Sequence, residues 1–279
     1  MRDFDLMVIG GGAGGLNVAS GAAQLGARVA LIEKNKLGGD CLYYGCIPTK
    51  ALIRSAKIAS LIKRSKEYGL NETNISFDFK NIMNHMKEVI SKVGEHDDPK
   101  RFENMGVQVF FGDGRFIDPH TFEFDGKKIT SRKFVISTGS RAVAIPIKGL
   151  ENIKYLTSES ALELDYLPKS IIILGAGPIG LEFAQVFARF GSKVTVIEKM
   201  GQILPREDKE IADTLELILK EEGIDIYTCV EVDQVKQNEG LKGIEVVAAC
   251  SGQKKTFQAD EFMIAIGRAP NLEGLNLEA

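Results

Sequence analysis

The sequence predicts an α/β protein made of two doubly wound, parallel-sheet domains, and three observations carry that prediction. A short apolar run, a glycine-rich turn, a helical pattern and a second apolar run ending in glutamate occur twice, over residues 6–33 and again over residues 171–198. The interval from Gly10 to Glu33 equals that from Gly175 to Glu198. The chain has 279 residues, more than one core comfortably holds and a fit for two domains of ordinary size.

In the first copy, Leu6-Met7-Val8-Ile9 is a strand, Gly10-Gly11-Gly12-Ala13-Gly14-Gly15 a turn, and a helical pattern runs on to about Leu25. The strand Val29-Ala30-Leu31-Ile32 then ends at Glu33. Each glycine has its own physical task. Gly10 makes the tight turn, Gly12 lets the backbone approach a pyrophosphate, and Gly15 lets helix pack on strand. The phosphates lie at the helix N-terminus and Glu33 takes ribose hydroxyls. In the second copy Gly175, Gly177, Gly180 and Glu198 repeat these tasks. A single glycine pattern of this kind is weak, but two copies with strand, helix and terminal acid in place predict two Rossmann-like dinucleotide sites. Glu198 would repel a 2′-phosphate, and Lys199-Met200-Gly201 offer no arginine to hold one, so NAD(H) is expected there rather than NADP(H).

Between the copies, residues 51–101 read as two scaffold helices, apolar at Leu52, Ala56, Ala59 and Ile62 and at Ile82, Met86, Val89, Ile90 and Val93. Residues 107–111, 121–124 and 134–137 read as strands separated by the turns Gly112-Asp113-Gly114 and Asp125-Gly126. The last strand enters Thr138-Gly139-Ser140-Arg141, a close backbone approach. Pro146-Ile147-Lys148-Gly149 marks a boundary, which gives domains over residues 1–149 and 150–270, with 271–279 opening a further region; the second domain is inserted into or follows the first. After Glu198, an amphipathic helix over 208–222 precedes strands at 225–227, 243–248 and 261–266 and the turn Gly267-Arg268-Ala269-Pro270-Asn271.

Composition narrows the function classes. Hydrophobic residues at 44% and charged residues at 26% describe a globular chain. A net charge of -3 without a basic run leaves no electrostatic footprint for nucleic acid. No stretch nears the roughly 20 apolar residues of a membrane span, and Met1-Arg2-Asp3-Phe4-Asp5 carries acids where an export signal needs cations. A cytoplasmic protein without nucleic-acid or membrane partners is expected.

Four cysteines remain, and two of them, Cys41 and Cys46, lie in Gly38-Gly39-Asp40-Cys41-Leu42-Tyr43-Tyr44-Gly45-Cys46-Ile47-Pro48-Thr49-Lys50. Zinc is the weakest reading: the spacing is not that of a zinc knuckle, and His85, His96 and His120 are remote in sequence. Buried, inert thiols are the bland alternative. The flanks favour a reaction centre, since Pro48 and the apolar run beyond it place the pair at a helix N-terminus. There the helix dipole and Lys50 are expected to lower a thiol's pKa. Two thiols able to form a disulfide store two electrons, and two dinucleotide sites can supply or receive them. Cys229 and Cys250 have no partner spacing and read as structural fillers.

Together, the cysteine motif, both glycine patterns, Thr138-Gly139-Ser140-Arg141 and Gly267-Arg268-x-Pro270-Asn271 closely resemble the FAD-dependent pyridine nucleotide-disulfide oxidoreductases, over the whole chain. The family includes dihydrolipoamide dehydrogenase, glutathione reductase and mercuric reductase. The resemblance implies an enzyme passing electrons between NAD(H), FAD and the Cys41–Cys46 disulfide. It implies FAD at Gly10, Gly12, Gly15, Glu33, Lys34, Gly39 and Lys50, with Gly114 beside the adenine and Thr138, Gly139 and Ser140 along its edge. NAD would lie at Gly175, Gly177, Ile179, Gly180, Glu198, Val230 and Gly267. Cys46 would be the charge-transfer thiol and Cys41 the interchange thiol, with Lys50 and Glu182 an ion pair steadying charge near the flavin. Where family members often carry a gating residue, this chain has Pro178, which cannot swing.

The same resemblance implies a further dimerisation domain bearing a histidine-glutamate pair, which these residues do not include. The expected reading is a truncated chain, monomeric alone and homodimeric in full-length form. A small disulfide or dithiol is the expected substrate, first of the dihydrolipoamide dehydrogenase type, although Tyr43-Tyr44 depart from that enzyme's usual residues. The alternatives are a mercuric-reductase-like enzyme and a non-catalytic FAD/NAD-binding fragment.

Overall fold

The computed structural model describes residues 2–71, 73–237, 243–250 and 253–279. The chain forms two compact units, both discontinuous: unit 1 comprises Met1–Pro48, Glu88–Arg141 and Ala269–Ala279, and unit 2 comprises Thr49–Lys87 and Ala142–Arg268. The helices over residues 51–101 are thus shared out, most of them grouping with residues 142–268.

Elements follow in chain order: β1 (Phe4–Ile9), α1 (Ala13–Gln24), β2 (Val29–Glu33), α2 (Gly39–Tyr43), α3 (Cys46–Lys63), α4 (Phe79–Gly94), α5 (Pro99–Asn104), β3 (Val107–Phe111), β4 (Gly114–Asp118), β5 (Thr121–Phe124), β6 (Lys127–Ile136) and β7 (Ser140–Ala142). Then come β8 (Ser170–Leu174), α6 (Pro178–Phe190), β9 (Lys193–Ile197), α7 (Lys209–Glu221), β10 (Asp225–Tyr227), β11 (Val230–Gln237), β12 (Ile244–Cys250), β13 (Gln253–Ala259), β14 (Glu261–Ile264) and β15 (Arg268–Pro270). None of the helices in the described residues is long and apolar enough to cross a membrane.

Unit 1 is a sheet of order β3-β2-β1-β6-β5-β4, parallel from β3 to β6 and antiparallel from β6 to β4. A central parallel strand is buried on both faces, and β1 shows it: Met7 and Ile9 pack with Phe116, Phe122 and Leu275, while Val8 packs with Leu16, Leu31 and Phe102. Unit 2 repeats the order as β10-β9-β8-β14, all parallel, with the antiparallel sheet β11-β12-β13 beside it. Ile172, Leu174, Ile197 and Phe262 share one core with Val230, Val235, Val246 and Phe257. In both units the glycine loop leaves the C-terminal end of the middle strand, where an open parallel sheet places its ligands.

Five strands exceed the sequence reading: β4, β7, β11, β13 and β15, the last lying where the sequence reading has the turn 267–271. β4 begins at Gly114, which the sequence reading assigned to a turn. β11 turns both Val230 and Val235 inward although they are an odd number of residues apart, because a bulge between Val232 and Gln234 shifts its register against β12. β13 is largely polar and exposed, and only Phe257 and Ala259 turn to the core. The side chain of Cys250 lies outside the described residues. Cys229 is no filler: it is exposed, at a left-handed φ of 56° in the turn before β11.

Candidate functional site

Steric geometry explains the two glycine loops. A Cβ on Gly10 would stand 2.2 Å from Ser137 O, and one on Gly175 would stand 2.5 Å from Ala265 O; both residues also hold positive φ, 103° and 107°. At the third glycine, a Cβ on Gly15 would lie 1.8 Å from Gly10 O and one on Gly180 would lie 2.1 Å from Gly175 O. No larger residue permits helix and strand to meet there. The middle glycines differ. Gly12 and Gly177 are the N-caps of α1 and α6, extended at φ -81° and -77°, and neither end has a side-chain cap. A Cβ on Gly177 meets nothing within 4 Å, and one on Gly12 only Gly39 Cα at 3.7 Å. Open space before uncapped helix N–H groups fits the phosphates of a dinucleotide, so the residues present suit such a cofactor.

The acids at the ends of β2 and β9 are wired alike. Glu33 Oε2 accepts the Gly11 N–H at 2.6 Å and Oε1 that of Asn35 at 2.7 Å. Glu198 accepts from Ala176 and Met200, both at 2.8 Å. Each carboxylate is fixed to its glycine loop, with lone pairs left over for ribose hydroxyls.

Elsewhere in unit 1, Gly39 has φ 56° and its missing side chain lets it approach Gly12 Cα. Lys34 pairs with Asp113 at 2.9 Å on the surface. Gly114 is required by sheet packing, since a Cβ there would lie 2.3 Å from Glu123 O. Thr138 Oγ1 donates to Asn271 O at 2.6 Å, and Asn271 N donates to Gly139 O at 3.0 Å, which fixes the loop that carries Ser140. Within unit 2, Ile179 is half-buried and Pro178 is exposed at the first turn of α6. Val230 is fully buried and donates its N–H to Glu198 O at 2.9 Å. Gly267 O accepts from Val143 N at 3.2 Å. Lys50 Nζ and Glu182 Oε1 meet at 2.5 Å.

Neither thiol of the cysteine motif is in a disulfide, and the Cys41 thiol is hydrogen-bonded to Cys46. Cys41 lies in the five-residue α2, while Cys46 opens α3. The expected lowering of a thiol pKa at this motif does not hold for Cys41: burial pushes its thiol above the ordinary 9.0, and Cys46 and the Asp40 charge add to the rise. The dipole of α3 acts at its first residue, not on Cys41, and the Lys50 ammonium is engaged with Glu182.

The sequence reading missed a cleft of about 290 Å³ beside Cys41, walled by Asn17 and Ser20 of α1 and by Asp97, Arg101 and Phe102. No motif announces it, because its walls come from three separate stretches of chain. Burial pushes the Asp97 carboxyl above its ordinary value, against the pull of Arg101 and His96.

Comparison with known proteins agrees with this geometry. The pyridine nucleotide-disulphide oxidoreductase family matches residues 4–279. Dihydrolipoyl dehydrogenase of Bacillus subtilis is 35% identical over 291 residues, 99% of this chain and 61% of that protein. Mercuric reductase of Bacillus cereus is 32% identical over 277 residues, 99% of this chain and 44% of that protein. Among solved structures, the HOCl-induced flavoprotein disulfide reductase RclA from Escherichia coli superposes with a TM-score of 0.82 at 32% identity, covering 98% of this chain and 59% of that one. The chain spans about half the length of these relatives. It belongs to the pyridine nucleotide-disulphide oxidoreductases, a family whose cofactors are FAD and NAD(P).

Proposed function

We propose that the chain carries the cofactor-binding units and the redox thiols of an NADH-linked flavoprotein disulfide oxidoreductase of dihydrolipoamide dehydrogenase type, cytosolic and, at full length, homodimeric. One observation carries the reading: Cys41 and Cys46 touch in the same unit that holds the first glycine loop. In this reading unit 1 is the FAD domain and unit 2 the NAD domain, with bounds that differ from the expected 1–149 and 150–270. Gly10, Gly12, Gly15, Glu33, Lys34, Gly39, Gly114, Thr138, Gly139 and Ser140 hold FAD; Gly175, Gly177, Ile179, Gly180, Glu198, Val230 and Gly267 hold NAD.

Bound FAD supplies a two-electron carrier between nicotinamide and thiols. The protein groups do the rest. Gly12 and Gly177 leave room for phosphates before helix N–H groups, and the Glu198 carboxylate disfavours a 2′-phosphate. Lys50, held by Glu182, would present a positive charge to a bound cofactor that gains negative charge. With a dithiol substrate, one substrate thiolate attacks Cys41 Sγ, a mixed disulfide forms, and the Cys41–Cys46 bond breaks with Cys46 leaving as thiolate. The second substrate thiol attacks the mixed disulfide, closes the substrate's own disulfide and releases Cys41; the substrate protons pass to solvent.

The test is an anaerobic NADH titration followed by absorption. A long-wavelength band that grows with NADH and is lost in Cys46→Ser is the expected result. Bound flavin that bleaches without the band, or cofactor binding without disulfide turnover, would instead support a non-catalytic FAD/NAD-binding fragment.

A further inference from the structure

The cleft beside Cys41 holds two charged groups in different settings. Asp97 is half-buried, and its Oδ2 lies 3.0 Å from where a Cβ on Gly38, itself in the cleft wall, would stand. Arg101 is exposed, and its Nη1 donates to His96 O at 2.5 Å, which ties part of the guanidinium to backbone. A carboxylate partly withdrawn from water acts on a visitor more strongly than a solvated guanidinium, whose field salt and water screen. Asp40 adds a second carboxylate next to the thiol.

The other walls are neutral. Asn17 Nδ2 and Ser20 Oγ donate within their own helix, to Ala13 O and Leu16 O, each at 2.8 Å. Leu42, Ile47 and Phe102 are apolar. A volume of about 290 Å³ is small for a ligand site, so a compact molecule fits.

We propose that Asp97 makes this cleft selective for neutral or cationic disulfides and dithiols over anionic ones. The inference rests on the reading of Cys41 as the thiol that exchanges with substrate. An anionic carboxylate or sulfonate in the cleft faces the half-buried Asp97 carboxylate, with the Asp40 charge also felt at the thiol and only the exposed, solvent-screened Arg101 to compensate, whereas an amide or ammonium group meets no such repulsion.

Mixed-disulfide formation on reduced Cys46→Ser tests this without a cofactor. Trimethylammonioethyl and sulfonatoethyl methanethiosulfonates react alike: the Cys41 thiolate attacks the sulfenyl sulfur, a disulfide forms, the S–SO₂ bond breaks, methanesulfinate leaves and the thiol proton goes to solvent. Adducts at Cys41 and at exposed Cys229 are timed by peptide mass spectrometry, and Cys229 corrects for the reagents' own reactivity. The expected cation-to-anion rate ratio is higher at Cys41 than at Cys229. Asp97→Asn lowers it by about fivefold and Arg101→Gln raises it. Equal ratios at the two cysteines, or a Cys41 ratio that neither variant moves, would overturn the inference. Failure of the NADH titration with charge selectivity intact would count against the flavoprotein reading alone.

Discussion

Glu198 Oε2 accepts the Ala176 N–H at 2.8 Å, which binds the acid at the end of β9 to the loop that begins α6. With Met200 N on the other oxygen and only 8% of the residue exposed, the carboxylate satisfies two backbone donors in a nearly closed space. Glu198→Ala leaves both donors without an acceptor. The expected loss is about 2–3 kcal/mol by urea denaturation, together with roughly tenfold weaker discrimination of NADH from NADPH, about 1.4 kcal/mol, by fluorescence titration. Unchanged stability would show that water replaces the carboxylate without cost.

The second glycine loop separates stability from binding. In Gly180→Ala the new methyl would stand 2.1 Å from Gly175 O, so helix and strand must part. A loss of about 1–3 kcal/mol is expected. In Gly177→Ala the methyl meets no atom within 4 Å and φ is ordinary, so stability falls by about 1 kcal/mol or less. Its NADH affinity drops because the methyl occupies the approach to the helix N-terminus. Paired melts and titrations of the two variants check the contrast.

The Cys41 thiol is held up by burial and by Cys46, so Cys46→Ala lowers its pKa towards 9.0. The inflection in its iodoacetamide alkylation rate against pH then moves down. The sign for stability follows: an unfolded thiol ionises first, so the raised group favours the fold below 9.0 and that contribution is lost as pH climbs from 9.0 through the higher folded value. The variant shows less of this alkaline loss. An inflection that stays in place would mean burial alone sets the value.

Lys50 and Glu182 meet at 2.5 Å with side-chain exposures of 60% and 32%. An exposed pair contributes about 0–1 kcal/mol, so Lys50→Met, Glu182→Gln and the double variant all melt close to the parent. If Lys50 serves the cofactor, flavin reduction by NADH in stopped flow slows in Lys50→Met while the melt stays put. Equal rates would reduce the pair to surface decoration.

Local steric requirements were legible in the sequence; long-range burial was not. Gly10, Gly15, Gly175 and Gly180 could be read because each answers a backbone clash within its own loop or its neighbouring strand. The parallel pairing of β8 with β9 followed from the repeat itself, while the places of β10 and β14 at the sheet edges did not. β4 was hidden because Gly114 looks like a turn residue until Phe124 is placed opposite it. β13 was hidden because its polar residues face water on an antiparallel sheet. The Cys41 pKa went the other way because the chain shows the helix start and the lysine, but not the depth of the thiol. Asp97 carried no signal, since nothing in the linear order brings it towards residues 17 and 41.

The interleaving of the two units sets an order of assembly. β1 pairs with β6 across more than a hundred residues, with Phe4 opposite Ser131, and Leu275 O accepts the Phe116 N–H at 2.9 Å. Unit 1 therefore begins with the first strand made and also draws on residues 269–279, which come after Arg268, the last residue of unit 2 in this sequence. Between its first strand and residues 269–279, the chain makes the whole of Ala142–Arg268. During that interval the sheet holding the first glycine loop depends on its distant partners for closure, which favours slow, late acquisition of the unit.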